Sequence, residues 1–307
     1  MTSPAADTHG ASPARRVVVG YSATKAGRDA LAFAARLAQA TDAVLDVTVV
    51  LPGEGRSVIT PHDPSYTRYL REQAQQWIAT AIDRIPADVT AHAHVRQADS
   101  FAEGLIEVAD ALEARCIVVG AADGASRGRH RLGATTDELL HSSDVPVVLV
   151  PRGTRKIPAS TGITRLTVGI GVRPGADALL HDTASLADAT GAPVRLLSLL
   201  PVDVPVGADT GTIRLAGTTE IAEVLASARA TLPGTLDAEV VTAEGDSIQD
   251  AVARLDWEPG EVLLVGSSRL AQPRRLFLGS TAAKMLREVP VPVIVVPRTR
   301  AHAGGAR

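Results

Sequence analysis

Residues 117–140 read IVVGAADGASRGRHRLGATTDELL. An apolar run ends at Gly120, a Gly/Arg-rich stretch follows, and Gly133 opens an amphipathic segment carrying Thr135 and Thr136. The pattern recurs at Gly266 and Gly279 with the same spacing, followed by Ser280 and Thr281. Glycine at a strand end admits close backbone approach, and the free N–H groups of a helix start favour an anion. Arg127, Arg129, His130 and Arg131 lie inside the first stretch, and Arg269, Arg274 and Arg275 inside the second, so both loops are cationic. Two readings stand. One is a phosphate cradle of backbone N–H groups near Gly133–Thr135 and Gly279–Thr281, with Gly120 and Gly266 allowing close approach. The other is a set of turn and packing glycines beside solvated arginines.

Other chemistry has weaker grounds. Gly124-Ala-Ser126-Arg-Gly128 has the spacing of a nucleophile elbow, which needs a strand running straight into the turn and a helix straight out. Here the apolar run stops at Gly120, RHRLG follows, and the second repeat has no matching serine. His130 has no evident orienting partner in the sequence. No catalytic residue is assigned, and the chain is expected not to be an enzyme. Gly169-Ile-Gly171 begins a dinucleotide fingerprint but continues Val-Arg-Pro174 without the third glycine. His92 and His94 alternate with Ala91, Ala93 and Val95 on a strand and read as solvent-facing, because a third zinc ligand is not near them in sequence.

The elements that must position these loops come as a duplication. VVVGYSATKAGRDALAFAARLAQAT, from residue 17, has its counterpart in LTVGIGVRPGADALLHDTASLADAT, from residue 166. DSFAEGLIEVAD pairs with DSIQDAVARLDW, IVVGAAD with LLVGSSR, and DVPVVLVPR with PVPVIVVPR. Two units, 15–151 and 163–298, are joined by GTRKIPASTG, a linker composition. In the first unit, strands are predicted at 17–21, 44–51, 89–95, 115–120 and 146–150, and helices at 25–40, 65–84, 100–112 and 133–143. Short continuous apolar runs such as VVVG and PVVLV suit strands covered on both faces. The alternation predicts an α/β fold of two tandem doubly wound sheets. Asp99/Ser100 and Asp246/Ser247 sit where N-caps belong. The closing strands VPVVLVP and VPVIVVP are apolar edges that invite pairing, and the economical solution is that they pair with each other as an internal pseudo-dimer. Segments 52–64 and 201–217 read as long loops without an assigned role.

Bulk properties bound the function. The chain has 307 residues, a net charge of −3 and only 3% aromatic residues, which gives neither the charge nor the stacking platform for nucleic acid. Cys116, the single cysteine, lies in the apolar run CIVVG and reads as a buried, inert thiol. No uninterrupted apolar stretch approaches the ~20 residues of a membrane span. The opening MTSPAADTHGASPA lacks the apolar core of a secretory signal, so a cytoplasmic location is expected. The terminal stretches 1–14 and 299–307 are compositionally tails.

The repeat resembles the universal stress protein family, and the whole chain resembles its tandem two-domain form. The cues are the opening VVVGY strand leading to DALAFAARLA, then IVVG with its later glycine, then VPVVLVP. The resemblance implies strand order 3-2-1-4-5 in each five-stranded parallel sheet and pairing through the last strand. It also implies, in the ATP-binding branch, a nucleotide pattern Gly-x2-Gly-x9-Gly-Ser/Thr. Gly120 and Gly133 take the first and third glycine positions, Asp123 stands at the second, and Ala134 takes the hydroxyl position with Thr135 after it. Gly266, Gly279 and Ser280 match in the second unit, with Thr281 following and Arg269 in the middle. The branch also carries an aspartate after the first strand, where this chain has Ser22 and Gly171. What the resemblance implies is a non-enzymatic stress-response module with a degenerate adenine-nucleotide (ATP) site. The alternatives are a ligand-free scaffold for protein partners or a second copy, and a slow nucleotide hydrolase.

Overall fold

The computed structural model describes residues 15–53, 64–122, 130, 132–171, 176–199, 210–267 and 280–297, with the side chains at 64, 210–218, 280 and 281 outside that description. The first half runs β1 (Arg16–Gly20), α1 (Lys25–Thr41), β2 (Val44–Pro52), α2 (Pro64–Ile82), β3 (Ala91–Ala98), α3 (Phe101–Ala111), β4 (Cys116–Gly120), α4 (Ala134–Ser142) and β5 (Val147–Val150). Two short 3-10 turns, Thr154–Lys156 and Ala159–Thr161, lead to the second half. That half runs β6 (Leu166–Gly169), α5 (Asp177–Thr190), β7 (Val194–Leu199), α6 (Thr210–Thr231), β8 (Ala238–Ala243), α7 (Ile248–Ala253), β9 (Val262–Gly266), α8 (Ser280–Glu288) and β10 (Val293–Val296).

The described strands form one ten-stranded sheet in the order β3-β2-β1-β4-β5-β10-β9-β6-β7-β8. Each half therefore has the order 3-2-1-4-5 and is parallel throughout. The two closing strands meet antiparallel, with Val147 opposite Val295, Val148 opposite Ile294 and Leu149 opposite Val293. Pro146 and Pro292 precede these strands, where the missing N–H is tolerated. Their carbonyls accept from Ile117 and Leu263, both at 2.9 Å.

Helices cover both faces, which is why the central strands read as continuous apolar runs. On one face, α1, α2, α5 and α6 bury Val17, Val19, Leu45, Val47, Leu166, Leu196 and Leu264 in a core shared by both halves. On the other, α3, α4, α7 and α8 bury Val18, Ile117, Leu149, Leu263 and Val293. The predicted N-caps act in both halves. Ser100 accepts from Glu103 N at 3.0 Å, and Asp99 N donates to Glu103 at 3.1 Å. Ser247 accepts from Asp250 N at 3.1 Å, and Asp246 N donates to Asp250 at 3.0 Å. The expected loop 201–217 ends earlier than predicted, because α6 starts at Thr210. Its first turns, TGTIRLAGTT, are rich in glycine and threonine, which masks helical character at the level of propensity. The predicted loop 52–64 lies mostly outside the described residues.

The linker is strapped to the first helix. Asp29 on α1 is fully buried and accepts from Gly153 N (2.9 Å), Arg155 N (2.9 Å) and the Arg155 guanidinium (2.8 Å). Buried Arg36, one further side of the same helix, donates to the Ile157 carbonyl at 3.0 Å. Breaking a buried charged network by removing one partner is costly, and part of the cost is the backbone donors left unpaired. Asp29→Ala is therefore expected to destabilise the chain by about 3 kcal/mol, and Asp29→Asn by less, measured by urea denaturation.

Candidate functional site

The carboxyl ends of β1 and β4 lie side by side in the first half, the place where parallel sheets of this winding bind ligands. β1 runs on into Tyr21, whose N–H donates to the Thr48 carbonyl at 2.8 Å. Thr24 caps α1 by accepting from Gly27 N at 3.1 Å, and its hydroxyl pairs with that of Ser22 at 3.0 Å. α1 enters tightly. A Cβ on Gly27 would stand 2.0 Å from the Ser22 carbonyl oxygen, and one on Gly120 would stand 2.2 Å from that of Ala26. Close approach at Gly120 is thus by the first turn of the chain's own α1, a packing use that sequence spacing does not distinguish from a ligand.

Gly133 is the N-cap of α4 in an extended conformation, without a side-chain cap. A Cβ there would lie 2.9 Å from Ala122 Cβ, so the helix start lies against the end of β4, two residues beyond Gly120. The first-turn amides of Ala134, Thr135 and Thr136 have no acceptor within the helix, and no side chain caps them among the described residues. Thr136 is buried, Thr135 half-buried and Ala134 exposed. Asp137, in the same turn, adds a negative charge. The structure therefore brings Ser22, Thr24, Gly120, Gly133 and Thr135 to one end of the sheet.

In the second half, Gly266 ends β9 exposed, and Ser267 N donates to the Val296 carbonyl at 2.9 Å. Gly171, where the family aspartate would stand, is also exposed. α8 starts at Ser280, but Gly279 and the side chains of Ser280 and Thr281 lie outside the described residues. So do Asp123, Arg127, Arg129, Arg131, Arg269, Arg274 and Arg275.

Two functional details escaped the sequence. His130 is buried and donates from Nε2 to the Val291 carbonyl of the second half at 2.8 Å, so its partner lies across the junction of the halves. Its Nδ1 has no partner among the described residues. Burial pushes its pKa down to about 4, opposed by the hydrogen bond to Val291. His92 and His94 flank a fully buried Asp46: His94 lies 2.8 Å from its carboxylate, and Arg16 clamps it at 2.6 and 2.9 Å. His92 is exposed, as its alternation predicts, but His94 is half-buried and hydrogen-bonded. No signal along one strand could announce a partner on the next. Among the described residues, no group of three His, Cys, Asp or Glu side chains is arranged to hold a metal, and no helix is long and apolar enough to cross a membrane.

The geometry defines a class: a tandem pair of doubly wound α/β units joined through their last strands. Comparison with known proteins agrees. The universal stress protein family profile matches residues 13–151 and 162–297, and the chain belongs to that family. Universal stress protein Rv2319c of Mycobacterium tuberculosis is 29% identical over 294 residues, covering 92% of this chain and 99% of that protein. Among solved structures, a universal stress protein from Archaeoglobus fulgidus superposes with a TM-score of 0.64 at 18% identity, covering 92% of this chain and 98% of that one. PA1789 from Pseudomonas aeruginosa gives a TM-score of 0.56 at 17% identity, covering 92% of each chain. These two likenesses carry the fold.

Two expectations follow. Gly120→Ala drives a methyl group into the Ala26 carbonyl and should cost about 2–3 kcal/mol in urea unfolding. The folded state keeps His130 neutral, so it binds fewer protons than the unfolded chain between the two pKa values. Its stabilising contribution is complete above about pH 6.5 and is lost as pH falls toward 4. Wild type should lose about 2 kcal/mol from this group between about pH 7.5 and about pH 5, a loss absent in His130→Gln.

Proposed function

We propose that the chain is a non-enzymatic binding and regulatory module whose ligand is an adenine nucleotide, ATP among them, held at the carboxyl ends of the parallel strands. The observation that carries this reading is the uncapped start of α4 at Gly133, set against the end of β4. Three backbone N–H groups and the positive end of the helix dipole suit a phosphate there. Thr135 adds a half-buried hydroxyl, and Gly279, Ser280 and Thr281 supply the same residue types in the second half. The family aspartate is replaced by Ser22 and Gly171, so nucleoside contact falls to the paired hydroxyls of Ser22 and Thr24 in the first half and to backbone in the second. Loss of that carboxylate weakens selection for the sugar and leaves the phosphate end dominant.

A second reading is favoured by one observation. Ala26 packs its carbonyl onto Gly120, so the glycine serves helix docking without any ligand. On that reading the chain is a scaffold for protein partners.

Ala134→Glu separates the two. An acidic residue in the first turn stabilises a helix by about 0.3–1 kcal/mol, yet it repels phosphate. Calorimetric titration of the full chain with ATP should show binding that weakens about tenfold in Ala134→Glu while thermal stability holds or rises. Binding should also fall in Gly279→Arg, and phosphate release from ATP should not exceed that of Gly279→Arg. No heat of binding and no nucleotide retained by the purified protein would favour the scaffold.

A further inference from the structure

A cavity of about 100 Å³ opens between the two halves, on the face covered by α1 and α5. Val17, Leu37, Cys116, Leu264, Ile294 and Val296 form its apolar wall. Arg15 and Arg115, both exposed, and the half-buried Asp182 stand at its mouth. Its first-half residues come from the amino ends of β1, β4 and β5, at the end of the sheet opposite Gly120 and Gly133, and on the second half it reaches Val296, which pairs with Gly266.

The pseudo-two-fold arrangement supplies a control inside the same molecule. Val17 matches Leu166, Cys116 matches Val262, and Pro146 matches Pro292, by their equal places in the two sheets. At the matching location the chain fills the space itself. The linker turns Thr154–Lys156 and Ala159–Thr161 cross there, Asp29 and Arg36 hold them, and buried Ile163 joins the core. Leu166, Val262, Val148 and Val150 are accordingly fully buried. Their counterparts at the cavity retain exposure: 3% for Val17 and 7% each for Cys116 and Ile294. No described segment does on this side what the linker does on the other.

We propose that this cavity binds the hydrocarbon body of a small carboxylate, with the carboxylate at the mouth. The volume is about two-thirds of a roughly 150 Å³ apolar cavity that accepts benzene, which fits a body of about four or five carbons. Burying such a body is favourable by about 25 cal/mol per Å² of apolar surface. Among the lining side chains two arginines stand against one aspartate, a balance that favours an anionic head over a neutral or cationic one. Occupation bridges α1, β1 and β4 of one half to α5, β9 and β10 of the other, so the ligand stabilises the junction that the linker stabilises on the opposite side.

Cys116 is the chain's single cysteine and lines the wall, so its alkylation reports occupancy without any labelling variant. Iodoacetamide modification of the full chain, followed by mass spectrometry, should slow about tenfold when hexanoate stands at about ten times its Kd. Across an acetate-to-decanoate series, protection should peak near hexanoate, and hexanol should protect less. Arg15→Gln should weaken hexanoate and leave hexanol unchanged. Ser185→Trp, which fills the space from α5, should abolish calorimetric binding of hexanoate. Equal alkylation rates with and without every member of the series would overturn the proposal, as would binding undiminished in a folded Ser185→Trp. A chain shortened after Pro297 whose Cys116 reacts faster than wild type without ligand would also overturn it, by making the chain's own end the occupant.

Discussion

Val147–Val150 and Val293–Val296 each close a parallel sheet, and each alone would leave a row of unpaired N–H and C=O groups along an apolar edge. Pairing them antiparallel satisfies both rows at once and turns two five-stranded sheets into one of ten. The pairing also dictates direction. Parallel strands in one half run opposite to those in the other, so the carboxyl ends of the two halves fall at opposite ends of the sheet. A core shared by α1, α2, α5 and α6 then runs unbroken across the seam. The linker must leave the end of β5 and reach the start of β6, and that path takes it across one of two equivalent grooves while leaving the other.

The halves exchange the signs of their buried charges. In the first, Asp46 on β2 is neutralised by Arg16 at the start of β1. In the second, the matching strand position carries Arg195, and the carboxylate has moved to Glu261, just ahead of β9. Glu261 accepts from Arg165 at 2.8 Å and Arg195 at 2.6 Å, with Thr167 as a further donor, and Arg195 lies over the Trp257 ring at 5.1 Å. Its counterpart in the first half is Arg115, so signs are exchanged at both positions. A buried charge without its partner costs several kcal/mol, which is why the two changes occur together. The same constraint explains why Asp29 sits fully buried on α1: the linker's amides and Arg155 satisfy it.

Glycine carries two meanings in this fold. Gly120 and Gly27 let α1 close onto the strand ends, a use set by the fold itself, whereas Gly133 leaves the start of α4 uncapped, a use that suits an anion. Both positions stand out equally in the sequence. Only the position of Ala26 separates packing from recognition. His130 shows the reverse case: it lies in the Gly/Arg stretch among candidate phosphate contacts, yet its partner is a carbonyl of the other half.

The sequence by itself determined the duplication, the α/β alternation, the element positions of the first half to within a few residues, the N-caps at Ser100 and Ser247 and the self-pairing of the closing strands. The duplication is legible by comparing the two halves of the chain, and the rest follow from local periodicity, from helix-start chemistry or from the cost of an unpaired apolar edge. α6 escaped in part because its first turns, TGTIRLAGTT, are poor helix formers by composition. Tertiary structure alone decided what touches what across long separations. It placed His94 on Asp46, Asp29 on the linker, His130 on Val291 and Ala26 on Gly120. It also decided which of two equivalent grooves the linker fills and which no described segment fills, because a side chain's partners are fixed by how sheets and helices stack and not by its neighbours along the chain.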